Sequence, residues 1–260
     1  MKKSVLIGSL TFVLTLVGCS GNPGASISQW DDYFVGNILF EDKSPESEGS
    51  RIYHSLIPNP EEYIAEQART VLSTLYFSPD DSIVPVNNLY YTIEEMDGIS
   101  GKGGGNGEVS IYYSTNYVAS SFADKDTAKV FFETRGVLLH ELTHAYQLEP
   151  QGIGTYGSNR VFWAFIEGVA DAVRIANGGF SGETDRPKGG NYMDGYRTAG
   201  YFFVWLRDNK DPDFIRKINR STLEVIPWSF DGAIKHIFGE NADVDTLWKE
   251  YQIAVGDIKE

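Results

Sequence analysis

Cysteine occurs once in 260 residues, at Cys19. No disulfide can close within the chain, so the fold must stand on its apolar core. Positive charge is also scarce: 22 Lys and Arg stand against 36 Asp and Glu, a formal balance of −14. That deficit argues against nucleic-acid partners, whose phosphates need dense Lys and Arg, and it disfavours electrostatic docking on anionic lipid. The apolar run from Val5 to Val17 is too short for a comfortable membrane span. No internal repeat and no low-complexity tract is present. The glycine-rich stretch "GISGKGGGNGEV" has neither the Rossmann nor the P-loop spacing, and no Lys-Ser or Lys-Thr follows it. It is expected to be a flexible hairpin-like loop.

What is present begins with a targeting segment. Lys2 and Lys3 precede the apolar run, and Leu16-Val17-Gly18-Cys19 resembles a bacterial lipobox, in which the cysteine becomes the lipid-bearing mature N-terminus. The expected organisation is a lipoprotein signal peptide over 1–18, a small, polar tether over 19–30 and one catalytic domain over 31–260. An acyl anchor on Cys19 would hold the protein to a membrane of the bacterial cell envelope, outside the cytoplasm and facing the periplasm or the surface.

With 42% hydrophobic and 13% aromatic residues the remainder is globular in character. "GNILFED" and "NNLYYTIEEM" read as strands, and so does "EVSIYYSTNYVAS". If the last is a sheet edge, its free backbone groups could hold an extended peptide along Glu108 to Ser114. Asn59-Pro60-Glu61-Glu62 starts a helix whose inward face is Ile64, Ala68, Val71, Leu72 and Leu75. Asp124 to Asp126 can cap a long helix reaching about Leu148, and "RVFWAFIEGVADAVRIANGG" reads as a second. Helices are expected again over "GYRTAGYFFVWLRD", after Asp211-Pro212, over Ile226 to Phe238 and over Val244 to Tyr251. Strands first and helices afterwards indicate an α+β fold, a small mixed sheet followed by a mostly helical C-terminal half.

Two of the chain's four histidines stand in His140-Glu141-Leu142-Thr143-His144. On a helix, residues four apart share a face, and two such imidazoles can hold one Zn²⁺ at about 2.1 Å. Glu141, beside them, can reach a water without ligating the metal and serve as general base. The apolar flanks Val137, Leu138, Leu139 and Leu142 argue against a solvated histidine pair.

A third protein ligand is required. The metzincin pattern would place Gly at 147 and His at 150, where Gln147 and Pro150 stand instead. Glu167, after 22 intervening residues on the returning helix, can supply it. Asp171, four residues on and on the same face, can accept the free N–H of a ligand histidine. His54 and His236 are expected to be structural or solvated.

At these residues the sequence resembles a known family. "RGVLLHELTHAYQ", "FIEGVADAVR" and "MDGYRTAGYFFVWL" look like the plant basic secretory proteins and their bacterial relatives, gluzincin-like zinc peptidases. The likeness runs from "ILFEDKSPESEG" to "LWKEYQ". It implies a zincin-like fold, with His140 and His144 as ligands and Glu141 as catalyst. Glu167 as third ligand and Asp171 as its companion follow from the wider gluzincin pattern Glu-x-x-x-Asp. Tyr196 matches the family's Gly-Tyr before the next helix and is the candidate donor to the oxyanion; an aromatic core contact is the other role open to it. The expected activity is hydrolysis of a peptide or protein substrate. The rival is a surface-anchored module that keeps the fold without catalysis and binds host protein or glycan; a zinc hydrolase of non-peptide amides is a third possibility.

Overall fold

The computed structural model describes residues 28–182 and 184–259; the expected signal segment, its Cys19 and most of the tether lie outside them. The first strand, β1 (Asn37–Asp42), is followed by a short helix, α1 (Glu48–Leu56), which the sequence reading did not anticipate. Ser47 starts it by accepting the Ser50 N–H. Helix α2 (Pro60–Leu75) opens on its proline with Glu61 and Glu62 in the first turn, though the Asn59 side chain makes no capping bond.

Three strands then complete one sheet: β2 (Asn88–Glu94), β3 (Ser100–Gly105) and β4 (Glu108–Ser114). Their spatial order is β1-β2-β4-β3. β1 and β4 run parallel to β2, and β3 runs antiparallel to β4 at the edge. Three expectations are corrected here. The glycine-rich stretch is no loose loop: its backbone pairs with β4 through a two-residue hairpin at Asn106 and Gly107, whose φ values of 53° and 86° suit the mirror-image turn favoured between twisted strands. β4 is therefore an inner strand, with no free backbone edge to offer a peptide; β3 holds the edge. β4 also stops early. Ser114 accepts the Tyr117 N–H, and the β-forming residues after it wind into α3 (Thr115–Ser121).

Helix α4 (Thr127–Tyr146) is capped by Asp126, which accepts the N–H groups of Ala128 and Lys129. It ends short of Leu148, because the Leu148 N–H is taken by Oδ1 of Asn219 at 2.9 Å. Helix α5 (Arg160–Ala176) is capped by Asn159. The C-terminal part is α6 (Tyr196–Asn209), α7 (Phe214–Glu224), α8 (Phe230–Phe238) and α9 (Val244–Ala254). α8 begins later than expected, at the cap formed by Ser229 on the Gly232 N–H.

The chain is thus α+β, a four-stranded mixed sheet followed by helices. One core joins Leu89, Tyr91 and Ile111 of the sheet to Val71 and Leu72 of α2 and Leu138, Leu139 and Leu142 of α4. α5 packs against both α4 and α6. Its approach to α6 is close: a Cβ on Gly168 would lie 2.7 Å from that of Ala199, and one on Gly200 3.0 Å from that of Asp171. Small residues at this contact hold α5 at one depth, and with it Glu167 and Asp171. Among the described residues no helix is long and apolar enough to cross a membrane.

Candidate metal centre and catalytic cleft

His140 and His144 project from one face of α4, one turn apart. Their Nε2 atoms are 3.0 Å from each other and their rings are nearly perpendicular, at 89°. α5 brings Glu167 against them, with Oε2 3.2 Å from Nε2 of His140 and 3.6 Å from Nε2 of His144. Among the described residues, this is the one group of His, Cys, Asp or Glu with at least three members whose ligand atoms all fall within 4.8 Å.

The two oxygens of Glu167 differ. Oε1 accepts the hydroxyl of Tyr156 at 2.6 Å. Oε2 is buried and has no hydrogen-bond partner. A buried carboxylate oxygen needs a cationic partner: protonated His140, 3.2 Å away, supplies one in the metal-free protein, and a cation shared with the two imidazoles would take its place. Two nitrogens and one carboxylate oxygen, with room for water as a fourth donor, form a set that zinc accepts. The residues fit the metal.

Outer contacts orient the candidate ligands. Asp171 stands 2.7 Å from Nδ1 of His140 through Oδ1. With the ring proton donated there, Nε2 keeps its lone pair for the convergence. Nδ1 of His144 faces the side-chain amide of Gln147, also at 2.7 Å. Burial opposes a charge on His140, but Asp171 and then Glu167 outweigh it and push its pKa up to about 10. Burial likewise opposes charge on Glu167, yet the two histidines hold its carboxyl well below the ordinary range.

Glu141 is buried beside His140 but outside the converging group. Its Oε1 accepts the Ser100 hydroxyl at 2.6 Å, which ties it to the edge strand β3. Tyr196 is the first residue of α6, at a φ of 42°. Its ring lies 6.1 Å from that of His140, near-parallel at 15°, and meets Trp163 edge-on. At 46% exposure it is no core contact. Burial, then the carboxylates of Glu167, Asp171 and Glu141, raise its pKa, which keeps the phenol protonated.

A cavity of about 370 Å³ opens over these groups, lined by Ser100, Gly101 and Lys102 of β3 and by Tyr156, Phe162 and Ile166. A second, of about 680 Å³, shares Ser100, His140, Glu141 and Tyr196 with it and extends to Glu133, Arg174 and Phe180. The candidate centre therefore lies where two cavities meet. Sequence reasoning missed three residues here, Ser100, Gln147 and Tyr156. Ser100 and Tyr156 sit in loop-like stretches without periodic pattern, and Gln147 fell within the expected long helix, where its position three residues after His144 was the one available hint. The remaining histidines lie elsewhere: His54 pairs with Asp42 at 3.0 Å and His236 with Glu224 at 2.8 Å.

A family model described as "Peptidase of plants and bacteria" (BSP) matches residues 35–251. No curated protein and no solved structure matches the chain.

Proposed function

The chain belongs to this peptidase family of plants and bacteria, and from that premise we propose that it is a zinc-dependent metallopeptidase, held to the cell envelope by a lipid on Cys19. The observation that carries the metal reading is Oε2 of Glu167, buried without a hydrogen bond and set against two imidazole nitrogens at 3.2 and 3.6 Å. His140, His144 and Glu167 would hold the ion. Zinc, when bound there, supplies Lewis acidity that polarises a carbonyl and lowers the pKa of water toward about 7.

The protein's own groups do the rest. Glu141 takes a proton from the attacking water and passes it to the leaving amine. Ser100 occupies Oε1 of Glu141, so Oε2 is the oxygen left for that proton. Tyr196, kept protonated, donates to the oxyanion of the tetrahedral carbon. The peptide lies extended along β3, the edge strand, where unpaired backbone groups border the cleft and β4 provides none. A binding module without catalysis would have no use for a buried carboxylate oriented by a hydroxyl.

The test is Glu141→Gln, assayed with a peptide digest derived from a whole proteome. Zinc stoichiometry and melting temperature should be kept and cleavage lost. Undiminished cleavage in that variant would overturn the mechanism. For the anchor, Cys19→Ala should move the protein from the membrane fraction to the soluble one; an unchanged distribution would reject lipidation there.

A further inference from the structure

We infer that Gln147 is the positioning residue of His144, the counterpart of Asp171 at His140; the inference rests on the metallopeptidase reading of the site. His144 has two ring nitrogens, and Nε2 points into the convergence with His140 and Glu167. A metal held there uses the Nε2 lone pair, so the ring's proton must sit on Nδ1. That proton needs an acceptor. The group facing Nδ1 is the terminal amide of Gln147, whose nitrogen lies 2.7 Å away. Gln147 is only 4% exposed, so water has little access as a substitute.

The amide oxygen of Gln147 is buried and has no donor. A half-turn of the amide brings this oxygen to Nδ1 and turns the contact into Nδ1–H donating to Oε1. Ring and amide thus exchange roles together: an amide N–H pointed at Nδ1 favours the tautomer that blocks Nε2, and an amide oxygen there favours the one that frees it. The backbone fixes Gln147 for this task. Its N–H donates to Thr143 O at 2.8 Å, ending α4, and its extended ψ of 147° leads the chain away. The next N–H, of Leu148, is held by Asn219. The side chain folds back over the histidine three residues earlier. The two histidines are therefore oriented differently, His140 by a carboxylate from α5 and His144 by a neutral amide at the end of its own helix.

Zinc affinity, measured against a chromophoric chelator with zinc alone as the ligand, tests this. Gln147→Met keeps the length and removes the acceptor; it should weaken zinc binding by about tenfold to a hundredfold. Gln147→Glu can only accept, and should bind zinc at least as tightly as the parent chain. Wild-type affinity in Gln147→Met, or equal losses in both variants, would show a packing role and overturn the inference. Should Gln147→Met fail to fold, ¹⁵N-histidine NMR of the zinc-loaded parent decides. A downfield Nδ1 proton on His144 that exchanges slowly with water supports the contact, and a freely exchanging one overturns it. Failure of the parent chain to bind zinc at all would sink the metallopeptidase reading itself.

Discussion

Both nitrogens of one imidazole are met by the same helix: Oδ1 of Asp171 lies 2.7 Å from Nδ1 of His140, and Oε2 of Glu167 lies 3.2 Å from its Nε2. One turn of α5 separates the two acids, so the ring is aligned along the helix between a contact that fixes its proton and a contact that would share its metal.

Asp171→Asn follows from that alignment. The amide is nearly isosteric, yet its oxygen is a weaker acceptor and its nitrogen offers the wrong polarity. Zinc affinity should fall by about tenfold to a hundredfold, while the fold, read by circular dichroism, stays intact. Unaltered affinity would remove Asp171 from the site.

The two cleft tyrosines should separate by readout. Tyr196→Phe deletes the proposed oxyanion donor and should lower kcat by roughly a hundredfold to a thousandfold, with zinc affinity unchanged. Tyr156→Phe deletes the partner of Oε1 of Glu167, so it should act on zinc affinity first, by about tenfold. The reverse pattern would exchange their roles.

The pH response of the chelator-treated chain has a definite sign. The folded pKa of His140 is raised from 6.5 to about 10. Its stabilising contribution is therefore fully present below 6.5 and is lost as pH rises toward 10. Glu167, with its folded pKa lowered, contributes above the ordinary carboxylate range and loses that contribution as pH falls. Melting temperature without metal should decline between pH 6.5 and 10, and the decline should flatten in His140→Gln. Added zinc competes with the His140 proton, so the increment it gives should grow over the same interval. An equal slope in His140→Gln would show that other groups govern the response.

Gly168→Ala probes the contact that sets the depth of α5. The new Cβ would sit 2.7 Å from that of Ala199, and neither atom is a flexible chain end. Overpacking should outweigh the gain in helix propensity and destabilise the protein by about 1 kcal/mol or more. Gly103→Ala, with nothing within 4 Å of the added atom, should stay within about 0.5 kcal/mol. Urea denaturation of the two variants checks both numbers.

Much of the site was legible because helices write their periodicity into side chains. The two histidines and Glu141 needed only the 3.6-residue repeat. Glu167 and Asp171 needed a second helix that returns, which the apolar spacing from Phe162 to Val173 announces. Strand β3 was not legible, since glycines carry no side chains to alternate and the strand exists through its pairing with β4. Helix α3 was hidden because Val118 and the tyrosines around it favour strands, and one capping bond from Ser114 decides otherwise. Tyr156 gains its meaning only from Glu167 on α5, and Gln147 only from the end of α4, which turns its side chain back onto His144.

The bareness of β3 has a consequence for selectivity. Four of its six residues are glycines, so a bound polypeptide would meet little more than main chain on that wall. Discrimination between one target sequence and another then falls to the α5 side of the channel, lined by Phe162 and Ile166 and by Tyr156 from the turn before that helix. Re-engineering of preference belongs on that side, and changes along the glycine wall should shift how tightly any polypeptide is held without changing which one is chosen.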